Sequence, residues 1–457
     1  MREFPEDFVF GTSTSAFQVE GNTQADGRGD SIWDSFARRA GTISDGSDGS
    51  PACDHYRRWA DDIDLMRRMG VDAYRFSMAW PRIFPNGRGA LNEAGLDFYQ
   101  RLVDGLLEAD IEPMLTLYHW DLPQALQDRG GWPERDTGLA FADYAQLVSR
   151  RLGDRVKLWV THNEPWCISV LGHELGEHAP GLQDVEASLR AAHNVLLSHG
   201  WATEAMRTEV PEDARLGIVL NLTPAHPASP SEADREEARR FDARFNRWFL
   251  DPLFRGQYPE DGVRDRRLSG ELPEGPLPFV QEGDMSTIAV PTDFLGLNYY
   301  SRAILRSGAL AEADNAPREL DPPSAETLTD MGWEVHPDGL EETLRRLADE
   351  YAPPAIYVTE NGCAYAMGPD EEGRIRDEQR VEFLEGHLRA VARALEAEVP
   401  VAGYFVWSLL DNFEWAHGYT KRFGLAWVDY ETQTRTLKDS GLRYAEIIAS
   451  RGWEYES

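Results

Sequence analysis

The sequence predicts an α/β protein in which strands and helices alternate eight times and close into a single barrel, and three observations carry that expectation. Eight short runs rich in apolar, β-branched and aromatic residues recur along the chain, near 8–17, 73–80, 112–120, 156–163, 215–222, 293–300, 355–360 and 401–408. The segments between them have room for helices, and several are amphipathic at helical spacing. No two strand-like runs follow each other directly, which is the pattern of a parallel (β/α)8, or TIM, barrel.

Residues 8–17 open the set. Residues 53–70 then place Trp59, Ile63, Met66 and Met69 at helical spacing before the second run. Residues 92–109 and 187–208 read as the helices after the second and fourth runs. The fourth and seventh runs carry short apolar segments, 156–160 and 355–358, bounded by turn-forming residues, as suits strands buried on both faces. The two most polar stretches, 227–240 and 308–329, are rich in Pro, Ser, Asp and Glu and are expected as exposed loops. The second follows the sixth run, on the rim where barrel enzymes keep their active sites, so it is expected to shape an entrance. With no internal repeat and no long low-complexity segment, residues 1–457 read as one barrel domain with elaborated loops on its C-terminal face. Such barrels span about 200 to over 400 residues, so length raises no objection.

Composition excludes several classes of function. A formal net charge of −33 argues against nucleic acid and anionic membranes as partners, since both are polyanions. Three lysines, Lys157, Lys421 and Lys438, stand against 43 arginines, a bias that a salt-adapted surface and a GC-rich genome explain equally well. The longest apolar run, around 401–410, is far shorter than a membrane span of about 18 or more residues. The first residues, MREFPED, carry acids where a signal peptide needs basic and then apolar residues, so the expected location is cytoplasmic. Cys53, Cys167 and Cys363 are odd in number and far apart, which favours buried thiols over a disulfide framework.

The chemistry sits where strands end. Glu164 lies just past the fourth run in Thr161-His162-Asn163-Glu164-Pro165, and Glu360 closes the seventh in Val358-Thr359-Glu360-Asn361-Gly362. Two carboxyl groups from different strands of one barrel meet across its mouth, where one can act as an acid while the other stays ionised, as glycosidic bond cleavage requires. A second carboxylate a few ångströms away is expected to hold Glu164 protonated. His173-Glu174-Leu175-Gly176-Glu177-His178 is one residue too long for the His-Glu-x-x-His zinc pattern, and neither a phosphate-cradling loop nor a dinucleotide fingerprint is complete. No metal and no cofactor is implied.

These stretches resemble the family 1 glycoside hydrolases, the retaining β-glucosidases, nearly end to end. The similarity runs through FVFGTSTSAFQVEG at 8–21, YRFSMAWPR at 74–82, LYHWDLP at 117–123, the two glutamate motifs, NYYS at 298–301 and WSLLDNFEWAHGYTKRFGL at 407–425. It implies Glu164 as general acid and then base, and Glu360 as nucleophile, kept ionised by Arg75 and a hydrogen bond from Tyr300. It implies Asn163 on the sugar 2-hydroxyl, and Gln18, His119, Glu414 and Trp415 on the hydroxyls of the non-reducing sugar above a floor of Trp407. Trp120, Asn298, Tyr300 and Phe423 complete the substrate-binding set, and Trp333 and Trp166 wall the outer, leaving-group site.

The expected activity is removal of terminal non-reducing β-D-glucosyl residues, with galactosyl and fucosyl sugars as further substrates, by double displacement through a covalent intermediate. The partners expected are small β-glucosides and oligosaccharides, with a homo-oligomer left open. Several alternatives remain at this point: inversion, transglycosylation on the same site, a 6-phospho-β-glycosidase, and a catalytically silent sugar-binding barrel. Glu414 argues against the phosphorylated substrate, because a carboxylate repels phosphate, and the presence of both glutamates argues against the silent barrel.

Overall fold

The computed structural model describes residues 4–308 and 317–453. Eight strands close into a barrel: β1 Val9–Ser13, β2 Ala73–Ser77, β3 Glu112–Tyr118, β4 Leu158–Asn163, β5 Arg215–Asn221, β6 Phe294–Asn298, β7 Ile356–Asn361 and β8 Val401–Trp407. Each strand pairs in parallel with its neighbours in sequence, and β8 returns to β1, with Ser13 opposite both Trp407 and Arg75. All eight fall on the runs expected from the sequence. A helix follows each strand on the outside: His55–Met69, Glu93–Glu108, Arg135–Leu152 and Val185–Arg207 after the first four, Glu232–Asp242 and Trp248–Arg255 after the fifth, and Pro337–Glu350, Glu378–Glu396 and Asp439–Ser450 after the last three.

The side chains divide into two cores. Inside the barrel, Ala73, Met114, Leu158, Val160, Val219, Phe294, Ala355, Tyr357 and Phe405 fill the end away from the active rim. Large and small residues alternate there: a Cβ on Gly11 would lie 2.3 Å from Phe405 Cδ1, so the bulk of Phe405 depends on the bare backbone opposite. Losing such a ring costs about 3–5 kcal/mol. The second core lies between barrel and helices and includes Met66 and Met69, two of the residues whose helical spacing marked 53–70.

The ladder is irregular at the active rim. Register shifts fall between Val160 and Asn163 on β4, between Leu297 and Asn298 on β6, and between Tyr404 and Val406 on β8. Bulges of this kind re-aim side chains at barrel rims, and here they coincide with the strand ends that carry Asn163, Asn298 and Glu360.

The stretch 227–240, expected as an exposed loop, is corrected by the structure. Its second half forms the helix Glu232–Asp242, continued by Ala243–Arg247 and Trp248–Arg255. Ser231 caps the helix by accepting from the Asp234 amide, with Glu232 and Asp234 in the first turn and Arg239 and Arg240 in the last, the arrangement that favours a helix dipole. Tertiary partners then hold it. Arg346 reaches Asp242 at 2.6 Å, Arg247 reaches Asp261 at 2.6 Å, and fully buried Asp234 accepts from Arg306 at 2.9 Å. Polarity was therefore a sign of ion pairing and not of a loop. Of the other polar stretch, 308–329, residues 309–316 lie outside the described residues. Beyond them Arg318, Pro322 and Pro323 line the active cleft.

Candidate active site

A cleft of about 790 Å³ opens at the C-terminal ends of the strands. Glu164 and Glu360 both line it, at 5% and 3% exposure, so neither carboxyl group is bathed in bulk water. Glu360 comes straight off β7 and is gripped by strong donors: Arg75 Nη1 at 2.5 Å from Oε1, and the Tyr300 hydroxyl at 2.6 Å from Oε2. The chain leaves β7 so close to β8 that a Cβ on Gly362 would sit 1.7 Å from the Trp407 carbonyl oxygen, which accounts for the glycine in Thr-Glu-Asn-Gly.

Glu164 is delivered differently. Its backbone turns into the left-handed region, with φ of 52°, between β4 and the π-helical segment Cys167–Glu174. That conformation costs about 1–3 kcal/mol in a non-glycine residue and persists only where the surroundings impose it. Trp120 and Trp415, also on the cleft, share it with φ of 78° and 47°. The Glu164 carboxyl accepts from Asn298 Nδ2 at 2.6 Å on Oε1 and from the Cys167 thiol at 2.9 Å on Oε2.

A chain of oriented amides links the two. Thr359 donates to Asn298 Oδ1, which turns Asn298 Nδ2 toward Glu164 and toward Asn163 Oδ1 at 3.0 Å. Asn163 Oδ1 also accepts from Arg75 Nη2 at 2.6 Å, so its Nδ2 must face His119 Nε2 at 3.1 Å. His119 Nε2 therefore accepts, and the ring hydrogen sits on Nδ1, which is buried without a protein partner among the described residues. Burial, then the nearby Arg75 charge, pushes the His119 pKa far down, so the ring stays neutral.

Burial pushes the Glu164 pKa up to about 7, and the Glu360 charge adds to that rise. Desolvation is thus a larger cause than the second carboxylate expected from the sequence. Burial also raises Glu360 above the usual carboxylate range, while Arg75 and the Tyr300 hydroxyl pull it back. Burial and then the Glu360 charge push the Glu414 pKa up to about 8, while the hydrogen bond from Gln18 pulls it back.

Three comparisons bear on this geometry. Residues 1–453 match the description of glycosyl hydrolase family 1. The chain belongs to that family. Similar proteins include β-glucosidase A of Thermotoga maritima, 45% identical over 99% of both chains, and a bifunctional β-D-glucosidase/β-D-fucosidase of Bifidobacterium breve, 45% identical over 98% of both. A solved structure of the Thermotoga maritima β-glucosidase with glucoimidazole superposes with a TM-score of 0.92 at 44% identity, covering 99% of this chain and 100% of that one.

Within this family 1 cleft the residues expected from the sequence fall into groups. His119, Trp120, Glu164, Trp166, Asn298, Tyr300, Trp333, Glu360, Trp407, Glu414, Trp415 and Phe423 line it. His119 stacks on Trp407 and Trp415 at 5.8 and 5.9 Å, which joins the three rings into one aromatic wall of the cleft. Arg75, Asn163 and Gln18 are fully buried behind that surface. Gln18 donates to Glu414 at 3.2 Å and Asn412 at 3.1 Å, while the Asn163 amide is engaged with Arg75, Asn298 and His119. The Asn298 amide serves Glu164 and Asn163, and the Trp120 indole N–H donates to the Asn163 carbonyl, so Trp120 offers the cleft its ring.

Sequence reasoning missed Phe245, whose ring lies 4.4 Å from Trp166, and the Arg302–Glu334 pair at 2.7 Å on the rim. Phe245 sits in the helical stretch that had been read as following a loop. Arg302 is only two residues beyond Tyr300, the one local hint available.

Proposed function

We propose that this chain is a retaining β-glycosidase that removes terminal non-reducing β-D-glucosyl residues, and β-D-fucosyl and β-D-galactosyl residues as further substrates. The observation that carries the reading is the unequal pair in one cleft: Glu360 on a guanidinium and a phenol, Glu164 on an amide and a thiol with its pKa raised to about 7. Glu164 is protonated when substrate arrives and gives its proton to the glycosidic oxygen as Glu360 attacks the anomeric carbon. Forming the glycosyl ester removes the Glu360 negative charge, so the Glu164 pKa falls. Glu164 then takes a proton from water, whose oxygen attacks the anomeric carbon from the face the leaving group vacated, opposite Glu360; the bond to Glu360 breaks and the β configuration is restored.

The sugar is held on Trp407 with His119, Gln18, Asn163, Glu414 and Trp415 about it, and the leaving group lies between Trp333 and Trp166. A glycosidic aglycone or a second sugar fits those flat walls. We read residues 1–457 as one catalytic domain, and the cytoplasm as its compartment, a placement supported by three free buried cysteines.

The experiment is nitrophenol release from nitrophenyl β-D-glucoside, galactoside, fucoside, mannoside and 6-phosphoglucoside, with proton NMR of the first anomer formed. Glucoside and fucoside cleavage with the β-anomer appearing first is expected. The α-anomer first would replace retention by inversion, and cleavage of the phosphorylated sugar alone would replace the substrate class. Accumulating oligosaccharides at high acceptor concentration would shift the reading to transglycosylation.

A further inference from the structure

We propose that Cys167 is a positioning residue of the proton-transfer step, its thiol determining that the Glu164 proton resides on Oε2 and supporting the carboxylate once that proton has left. The inference rests on the reading of Glu164 as acid and base. Asn298 Nδ2 lies 2.6 Å from Oε1, and Thr359 fixes that amide so that it can only donate. An oxygen receiving so short an amide bond is best as the carbonyl of a protonated acid, which leaves Oε2 to carry the hydrogen. Beside Oε2, at 2.9 Å, stands Cys167 Sγ, itself approached by Asn221 Nδ2 at 3.8 Å.

A thiol suits this place because it is both a weak donor and a weak acceptor. When Glu164 is ionised, S–H donates to Oε2; when Oε2 is protonated, the thiol turns without leaving a strong donor facing the O–H. A hydroxyl or ammonium there would hold the carboxylate too firmly for it to be reprotonated near neutral pH. Burial and the adjacent carboxyl groups push the Cys167 pKa far up, so it stays a thiol and is no nucleophile. The other groups facing Glu164 are Glu360 from β7, Arg75 from β2, Tyr300 after β6, Glu414 after β8 and neutral His119 after β3; the first raises its pKa and Arg75 lowers it.

Removing a donor to the ionised form disfavours that form. In Cys167→Ala the basic limb of kcat/KM is expected to move up by about one pH unit, the worth of one hydrogen bond to a charged group. Turnover of activated aryl glycosides, limited by the base half of the reaction, should fall several-fold. Cys167→Ser keeps a donor and is expected to hold the limb at or below its wild-type position. A titration of the Glu164 carboxyl by 13C NMR, assigned through its disappearance in Glu164→Gln, reads the same shift without turnover. A limb and a carboxyl resonance that stay put in Cys167→Ala would overturn the proposal and leave Cys167 as packing. An enzyme inert toward every β-glycoside, yet showing the NMR shift, would instead sink the functional reading and keep the thiol–carboxyl coupling.

Discussion

The two halves of the cleft start from the same amino acid and make opposite things of it. On one side Glu360 lies on the bulged end of β7, meets Arg75 and Tyr300, and has its charge matched by a guanidinium and a phenol. On the other, Glu164 sits on a left-handed turn, meets an amide and a thiol, and is pushed by burial to a pKa of about 7. Both are nearly equally hidden from water, so burial alone cannot make the two carboxyl groups differ. The partners do so, and the amides of Asn163 and Asn298 hold the two environments in register.

The strongest way to break the comparison is to remove each carboxyl group in turn. Glu360→Ala should lower kcat by roughly 10⁴-fold or more on every substrate, with partial recovery in added azide or formate. Retained turnover without an added nucleophile would refute the assignment. Glu164→Ala should cost about 10²–10⁴-fold on substrates with poor leaving groups and far less on dinitrophenyl glycosides, which leave without a proton. Equal losses on both would make the two glutamates interchangeable.

Exchanging their supports is a subtler test. Arg75→Met takes away the cation that favours ionised Glu360, so that pKa should rise by about 1–3 units. Since Glu360 must be ionised, the acidic limb of kcat/KM then moves to higher pH, while in the wild type it already lies above the ordinary glutamate range because of burial. The basic limb belongs to Glu164, which must be protonated, so activity should fall as pH rises through about 7. A pH profile flat from 6 to 9 would contradict the unequal pair.

The smallest effect separates the site from the surface. With a net charge of −33, raising salt from low to molar should raise Tm by several degrees as self-repulsion is screened. The two pH limbs should stay nearly in place, because buried pairs are screened much less. A flat Tm would leave the lysine-poor composition to genome bias.

The sequence by itself determined the alternation of eight apolar runs with helices, because burial on both faces of a parallel barrel leaves a pattern that any one segment displays. It also placed Glu164 and Glu360 at strand ends, since a polar residue that stops an apolar run is delivered to a rim whatever surrounds it. Only the tertiary structure decided what those residues would be. That Asn163 and Asn298 link Arg75 to Glu164, that His119 keeps its hydrogen on Nδ1, and that Cys167 touches Glu164 depend on contacts such as Asn163 with Arg75, 88 residues apart in the chain. The helix at 232–242 escaped for the same reason: its Arg239 is satisfied in part by Asp261 and Asp265, beyond its own segment, so its local polarity resembled a loop. A pKa likewise belongs to a cavity and not to a residue, and a cavity exists only once distant strands have closed around it.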